Sequence, residues 1–84
     1  MARVKLFGRI GDIAGWSEAT LDGATLGEIK AAAAGDNARL AEHLDHHSTL
    51  VILNTTLTPS SLRSDALAIG PDDEVAFGSP VGGG

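Results

Sequence analysis

Cysteine is absent from this chain of 84 residues. That excludes a disulfide scaffold, a zinc–thiolate site, a redox CxxC pair and a thiol nucleophile. Aromatic residues are scarce: Phe7, Trp16 and Phe77 are all there are, so the core must be mostly aliphatic. Basic residues are few as well. Six Lys and Arg against eleven Asp and Glu leave a formal net charge of −5. The six are scattered, whereas phosphate binding rests on clustered positive charge. No nucleic-acid partner is expected, and an acidic surface suits a basic protein surface better. No apolar run approaches a membrane span. The opening "MARVKLFGRI" lacks the apolar stretch and small-residue cleavage site of a signal peptide. The expectation is a cytoplasmic protein that engages neither membrane nor nucleic acid.

The length fits a single domain over 1–84, with 80–84 as a flexible C-terminal tail. A hydrophobic share of 43% is that of a globular chain. In "RVKLFGRI", Val4, Leu6 and Ile10 share one face and Lys5, Phe7 and Arg9 the other. This predicts a half-buried strand with Phe7 on its solvent side. "GDIAGWSEA" begins as a turn, and "EATLDG" reads as a second strand closing a hairpin with the first. "TLGEIKAAAAG" is a helix: Thr25 and Glu28 form a capping box, Leu26, Ile29 and Ala33 share a side, and Gly35 stops it in the left-handed conformation. "DNARLAEHLD" restarts a helical turn or two, with Asp36 as cap and Leu40 and Leu44 one turn apart. "TLVILN" reads as a central strand buried on both faces, turning at "NTTLT", with Pro59 ending the pairing. Leu62, Leu67 and Ile69 anchor an irregular stretch, and Gly70 to Asp73 turn into a last strand, "EVAFG". In that strand Val75 and Phe77 point inward and Ala76 and Gly78 outward. The order predicts an α+β domain: a mixed sheet with one main helix on one face. The first and last strands are candidates for neighbours. The expected core is Val4, Leu6, Ile29, Leu40, Ile52, Val75 and Phe77.

Catalytic groups are hard to find. Gly8, Gly11 and Gly15 lack the spacing of a phosphate-binding loop and no Gly-Lys-Ser/Thr follows. His43, His46 and His47 form H-x-x-H-H. On a helix this could bring His43 and His47 together, but two helical His without a third ligand make a weak metal site, and the motif reads as a solvated helix end. Asp72, Asp73 and Glu74 read as a charged turn rather than an acid/base pair. Trp16 reads as a lid on the core. No metal site is assigned, no cofactor is expected to be bound, and the chain alone is not equipped for catalysis.

What is present is the end of the sequence, "DDEVAFGSPVGGG". Gly82, Gly83 and Gly84 have no Cβ and can pass through a slot closed to other residues. Extended, the stretch from Val81 spans roughly 10–14 Å. The stretch resembles the C-terminus of the ubiquitin-like sulfur carriers, most closely the small subunit of molybdopterin synthase, on Asp73, Glu74, Val75, Ala76, Phe77, Pro80, Val81, Gly83 and Gly84. "RVKLFGRIGDIAG" and "LNTTL" are similar to that family's first strand and central hairpin. Gly78 and Ser79 depart from it, standing where the family has Phe and Pro. The final "VGGG" is similar also to thiazole-forming carriers.

The resemblance implies a β-grasp, ubiquitin-like fold. It implies that Gly84 is adenylated by a ubiquitin-activating-like enzyme that uses ATP, and that a sulfur donor protein converts it to a thiocarboxylate. In the molybdopterin branch a large synthase subunit would then receive the sulfur. Gly84 is thus the reactive residue. Pro80, Val81, Gly82 and Gly83 are candidate partner-binding residues, and Phe7 a candidate interface anchor. Three readings stay open: a carrier for molybdopterin synthesis, a carrier for thiazole or another sulfur-containing metabolite, and a ubiquitin-like modifier joined to lysines through Gly84.

Overall fold

The computed structural model describes residues 1–46, 48–58 and 64–79. The expectations for His47, Pro59 and Leu62, and for the stretch 80–84, fall outside those residues. β1 (Ala2–Phe7) buries Ala2, Val4 and Leu6 and exposes Arg3 and Phe7, because successive side chains leave opposite faces of a strand. The alternation predicts a strand running on to Ile10, but it stops at Phe7. Gly8 takes φ 67°, which turns the chain out of the extended conformation at little steric cost. The expected turn is instead a short helix, α1 (Arg9–Ala14). Ile10 is buried from that helix, with Ile13 and Ala14 packed beside it; their spacing of three and four residues is helical. β2 (Glu18–Leu21) returns antiparallel to β1, as the hairpin reading predicts.

α2 (Leu26–Ala34) starts at Thr25, whose Oγ1 accepts from the Glu28 N–H at 3.3 Å. The reciprocal bond is displaced by one residue: the Glu28 carboxylate accepts from the Ala24 N–H at 3.1 Å. Leu26, Ile29 and Ala33 are buried together. Gly35 ends the helix with its N–H donating to the Ala31 carbonyl. Its φ of 53° and ψ of −121° lie outside the left-handed helical well expected for it. α3 (Ala38–Asp45) is capped by Asn37 rather than Asp36. The Asn37 Oδ1 accepts from the Leu40 N–H at 3.0 Å, and its Nδ2 donates to the Ile13 carbonyl at 3.1 Å. Asn37 wins because one side chain caps α3 and fastens it to α1. Leu40 and Leu44 are both buried. Among the described residues three helices roof the core, where the sequence predicts one main helix and a fragment.

β3 (Leu50–Leu53), β4 (Thr56–Leu57) and β5 (Glu74–Gly78) complete a five-stranded sheet in the order β2-β1-β5-β3-β4. β1 and β5 are parallel and the other pairs antiparallel, which makes the sheet mixed and the fold α+β. The central strand is β5, not β3. β3 has β5 on one side and only the two residues of β4 on the other, and of its four residues only Val51 is buried. Val51 stands opposite Phe77 and Leu53 opposite Val75, so Val51 enters the core and Ile52, expected there, faces the other way. β5 is buried from Val75 to Gly78. Val75 and Phe77 meet the helices. Ala76 and Gly78 face the opposite side as predicted, but they are small and sit below larger neighbours. Lys5 and Ile52 flank Ala76, and Phe7 and Leu50 flank Gly78.

The β3–β4 turn is fastened to the start of β5 by polar groups. Asn54 and Thr55 take φ of 48° and 72°, the positive values a two-residue hairpin loop requires. Asn54 donates from Nδ2 to Asp73 at 3.0 Å and accepts at Oδ1 from the Glu74 N–H at 2.8 Å. Asp73 also accepts from the Gly70 N–H at 2.7 Å. The Gly70 N–H and then the Asn54 amide hold the Asp73 carboxyl below the ordinary aspartate value, since both bonds favour the ionised acceptor.

Two tests follow from this packing. Phe77 is fully buried at the centre of the sheet, so Phe77→Ala should destabilise the fold by about 3–5 kcal/mol, as large aromatic truncations do. A denaturant midpoint close to that of wild type would place Phe77 outside the core. Asp73 has a folded pKa depressed below its unfolded value of about 3.9. Its contribution is therefore complete above that value and is lost as pH falls through the folded one. Stability measured from neutral pH into the acid range should fall less steeply for Asp73→Asn. Identical acid limbs would remove Asp73 as a source of the dependence.

Candidate functional site

β1 and β5 run in the same direction, so their C-terminal ends lie together. Phe7 stands beside Gly78 in the register. One residue further, a β-carbon placed on Gly8 would lie 3.7 Å from the β-carbon of Ser79. The chain therefore leaves the sheet at Ser79 next to Phe7 and Gly8, with "PVGGG" still to follow. Phe7 is 51% exposed, on the face of β1 opposite the helices. The sequence placed Phe7 on that face, and the topology puts it where the chain exits. Pro80, Val81, Gly82, Gly83 and Gly84 lie outside the described residues.

Phe7 is one member of an apolar surface that strand pairing assembles. One row across the sheet is Phe7, Gly78 and Leu50. The next is Lys5, Ala76, Ile52 and Leu57. Leu57 is 58% exposed. Sequence reasoning missed Leu50, Ile52 and Leu57 as surface candidates because it took β3 for a strand buried on both faces. The usable signal was "LNTTL", since a two-residue turn at Asn54-Thr55 sets Leu57 opposite Ile52. The rim of the surface is charged. Lys5 Nζ lies 3.3 Å from Glu74 Oε1, with Glu18 across from it on β2.

Gly78, which departs from the sulfur-carrier pattern, is not required by close packing. A β-carbon there would meet only the Phe7 β-carbon, at an ordinary 3.7 Å. With glycine at 78 the aromatic ring on this face is that of Phe7 on β1. On the other side of Gly8 a shallow, open groove of about 520 Å³ is lined by Leu6, Gly8, Gly11, Asp12, Gly15, Trp16 and Ser17. Trp16 is partly buried against the core, in keeping with its reading as a lid.

The other candidates take structural places. Asp73 and Glu74 serve the turn and the Lys5 ion pair. His46 Nδ1 accepts from the Ser48 N–H at 3.1 Å, and among the described residues no group of three His, Cys, Asp or Glu could hold a metal. No described helix is long and apolar enough to cross a membrane.

No protein-family model matches the sequence, and no curated protein matches it. Solved structures do. The solution structure of small archaeal modifier protein 1 from Methanosarcina acetivorans superposes with a TM-score of 0.82 at 21% identity, over 99% of this chain and 95% of that one. The crystal structure of the protein of the same name from Haloferax volcanii gives a TM-score of 0.69 at 26% identity, over 99% and 98%. A second crystal structure of the Haloferax volcanii protein gives 0.65 at 23%, over 94% and 95%. The fold is the ubiquitin-like β-grasp. The mixed sheet with helices on one face is thus the architecture that the resemblance implied, and its structural neighbours are small archaeal modifier proteins.

The exposed position of Phe7 yields a direct test. Phe7→Ala removes a ring that is half in solvent and outside the core, so the melting temperature should stay close to that of wild type. If Phe7 anchors a partner, the complex should weaken by about 2 kcal/mol or more, as for interface hot spots. Equal affinities by calorimetry would take Phe7 out of the interface.

Proposed function

We propose that this chain is a ubiquitin-like sulfur carrier whose Gly84 carboxylate is activated by an adenylating partner enzyme and converted to a thiocarboxylate. The observation that carries this reading is topological. β5 lies between β1 and β3, and its last residue, Gly78, stands beside the exposed Phe7, so the strand ends at that surface a few residues ahead of Gly82, Gly83 and Gly84 in the sequence. A rigid strand, an apolar surface at its exit and a side-chain-free end together suit presentation of a terminal carboxylate to another protein.

The chemistry asks nothing of this chain's side chains. A free carboxylate is a poor electrophile. A Gly84 oxygen attacks the α-phosphorus of ATP held by the partner, and pyrophosphate leaves. Reduced sulfur from the donor protein then attacks the carbonyl carbon, forming the C–S bond as the C–O bond to AMP breaks. In the molybdopterin reading, the thiocarboxylate passes its sulfur to a pterin precursor held by a large synthase subunit. A thiazole or other sulfur-containing metabolite is the alternative acceptor. The names of the structural neighbours favour a second reading, in which a lysine amine of another protein attacks the same activated Gly84 and the chain becomes a modifier. Both readings share the adenylation step and a cytoplasmic setting.

ATP–pyrophosphate exchange with candidate activating enzymes tests that shared step. Gly83→Val should shift folding stability by no more than about 0.5 kcal/mol, as ordinary surface changes do, yet abolish exchange, because its side chain collides with the walls of a glycine-wide slot. Deleting Gly84 should do the same by leaving the carboxylate roughly 3.5 Å short of the nucleotide. Wild-type exchange rates in both variants would sink the proposal. Intact mass after incubation with enzyme, ATP and a sulfur source separates thiocarboxylate formation from conjugation.

A further inference from the structure

The sequence has two lysines, Lys5 and Lys30, and the fold treats them oppositely. Lys30, on α2, places its Nζ 3.1 Å from Asp45 Oδ1 at the end of α3 and 3.0 Å from Asp65 Oδ1 in the segment before β5. Its side chain is 14% exposed. Two donors are spent on two carboxylates, and the stem is covered. Lys5 lies on the helix-free face of β1 with 33% of its side chain exposed and one ion pair, to Glu74. Partly exposed pairs of this kind hold their partners weakly, and among the described residues Lys5 has one of them where Lys30 has two and a less exposed side chain.

We propose that Lys5 is the lysine of this chain that takes up an acyl group, including the glycyl end of a second copy, and that Lys30 is not. The second-copy part rests on the modifier reading above. In the acyl transfer the Lys5 Nζ lone pair attacks the activated Gly84 carbonyl carbon of the other copy. The C–N bond forms, the C–O bond to AMP breaks, and the amine proton passes to water. The amide carries no charge, so Glu74 loses its partner. Lys5 and Phe7 are two residues apart on one face, about 7 Å along the strand. A copy joined at Lys5 therefore lies over the Phe7 surface and withdraws it from other partners. Lys30 gives up two ion pairs when it reacts, where Lys5 gives up one.

Limited acetylation of the free protein with an N-hydroxysuccinimide ester, read by peptide mass mapping, tests the ranking without any enzyme. Lys5 should be modified roughly threefold faster than Lys30 or more, the size expected from one additional exposed ion pair on Lys30. The Asp45→Asn, Asp65→Asn double variant should raise the Lys30 rate toward that of Lys5. Equal rates in the wild type, or an unchanged Lys30 rate in the double variant, would overturn the assignment. With the activating enzyme and ATP, wild type and Lys30→Arg should form a covalent dimer linked at Lys5, and Lys5→Arg should not. A dimer that survives Lys5→Arg and is lost in Lys30→Arg overturns the proposal. Exchange without any dimer overturns the second-copy part and leaves the activation of Gly84 standing. Absence of exchange removes Gly84 instead, and the acetylation ranking still decides between the two lysines.

Discussion

Val4 and Leu6 on β1 stand beside Val75 and Phe77 on β5 in a parallel ladder that joins nearly opposite ends of the sequence. Parallel neighbours cannot be linked by a tight turn. The chain between them must therefore cross a face of the sheet before it returns as β5, and the described helices lie on that crossing. All four of these residues are buried, so the ladder is also the floor of the core. The closure is nonlocal, which puts its entropic cost before its reward in folding. What closes the ladder also fixes the site, because the end of β5 can lie beside Phe7 only when the strands run the same way.

Polar groups do the remaining positioning, and most hold segments that are distant in sequence. Asn37 caps α3 and reaches Ile13 of α1. Asn54 joins the hairpin turn to Asp73 and Glu74. Leu26 and Gly27 donate to the carbonyls of Leu67 and Asp65, and Ile69 donates to that of Ala24. The first two bonds supply acceptors to the first N–H groups of α2, which no intrahelical carbonyl can satisfy. Lys30 adds two carboxylates to the same junction. Among the described residues no buried side-chain polar atom lacks a partner, as expected where each unsatisfied group would cost about 1–3 kcal/mol.

The two faces of the sheet divide the work. The helix side holds the aliphatic core that makes the domain fold. The open side carries Phe7, Leu50, Ile52 and Leu57 over the small residues Ala76 and Gly78, with Lys5 and Glu74 at its rim. A strand buried on one face by its own helices and left apolar on the other is suited to meeting another protein. Gly78 and Ser79 lie where β5 ends at that face, and close packing does not require the glycine at 78.

The sequence by itself determined much of the local structure. Thr25 with Glu28 marked a helix start, Leu40 and Leu44 a helix face, Asn54 a turn, and Val75 with Phe77 an inward phase, because caps, turns and periodicity depend on residues a few positions apart. The glycine-rich end and its resemblance were likewise legible, since a motif is a local pattern. The position of β5 at the sheet centre, the outward phase of Ile52, the helix at Arg9–Ala14 and the choice of Asn37 over Asp36 were decided by the tertiary structure. Each depends on a partner far away in the chain: Phe77 opposite Val51, the core receiving Ile10, the Ile13 carbonyl receiving Asn37. The same holds for the site. Sequence marked Phe7 as exposed, as it is. Only the parallel pairing of β1 with β5 brought the chain's exit beside Phe7, and only the packing of α2 against Asp45 and Asp65 made two chemically identical lysines unequal.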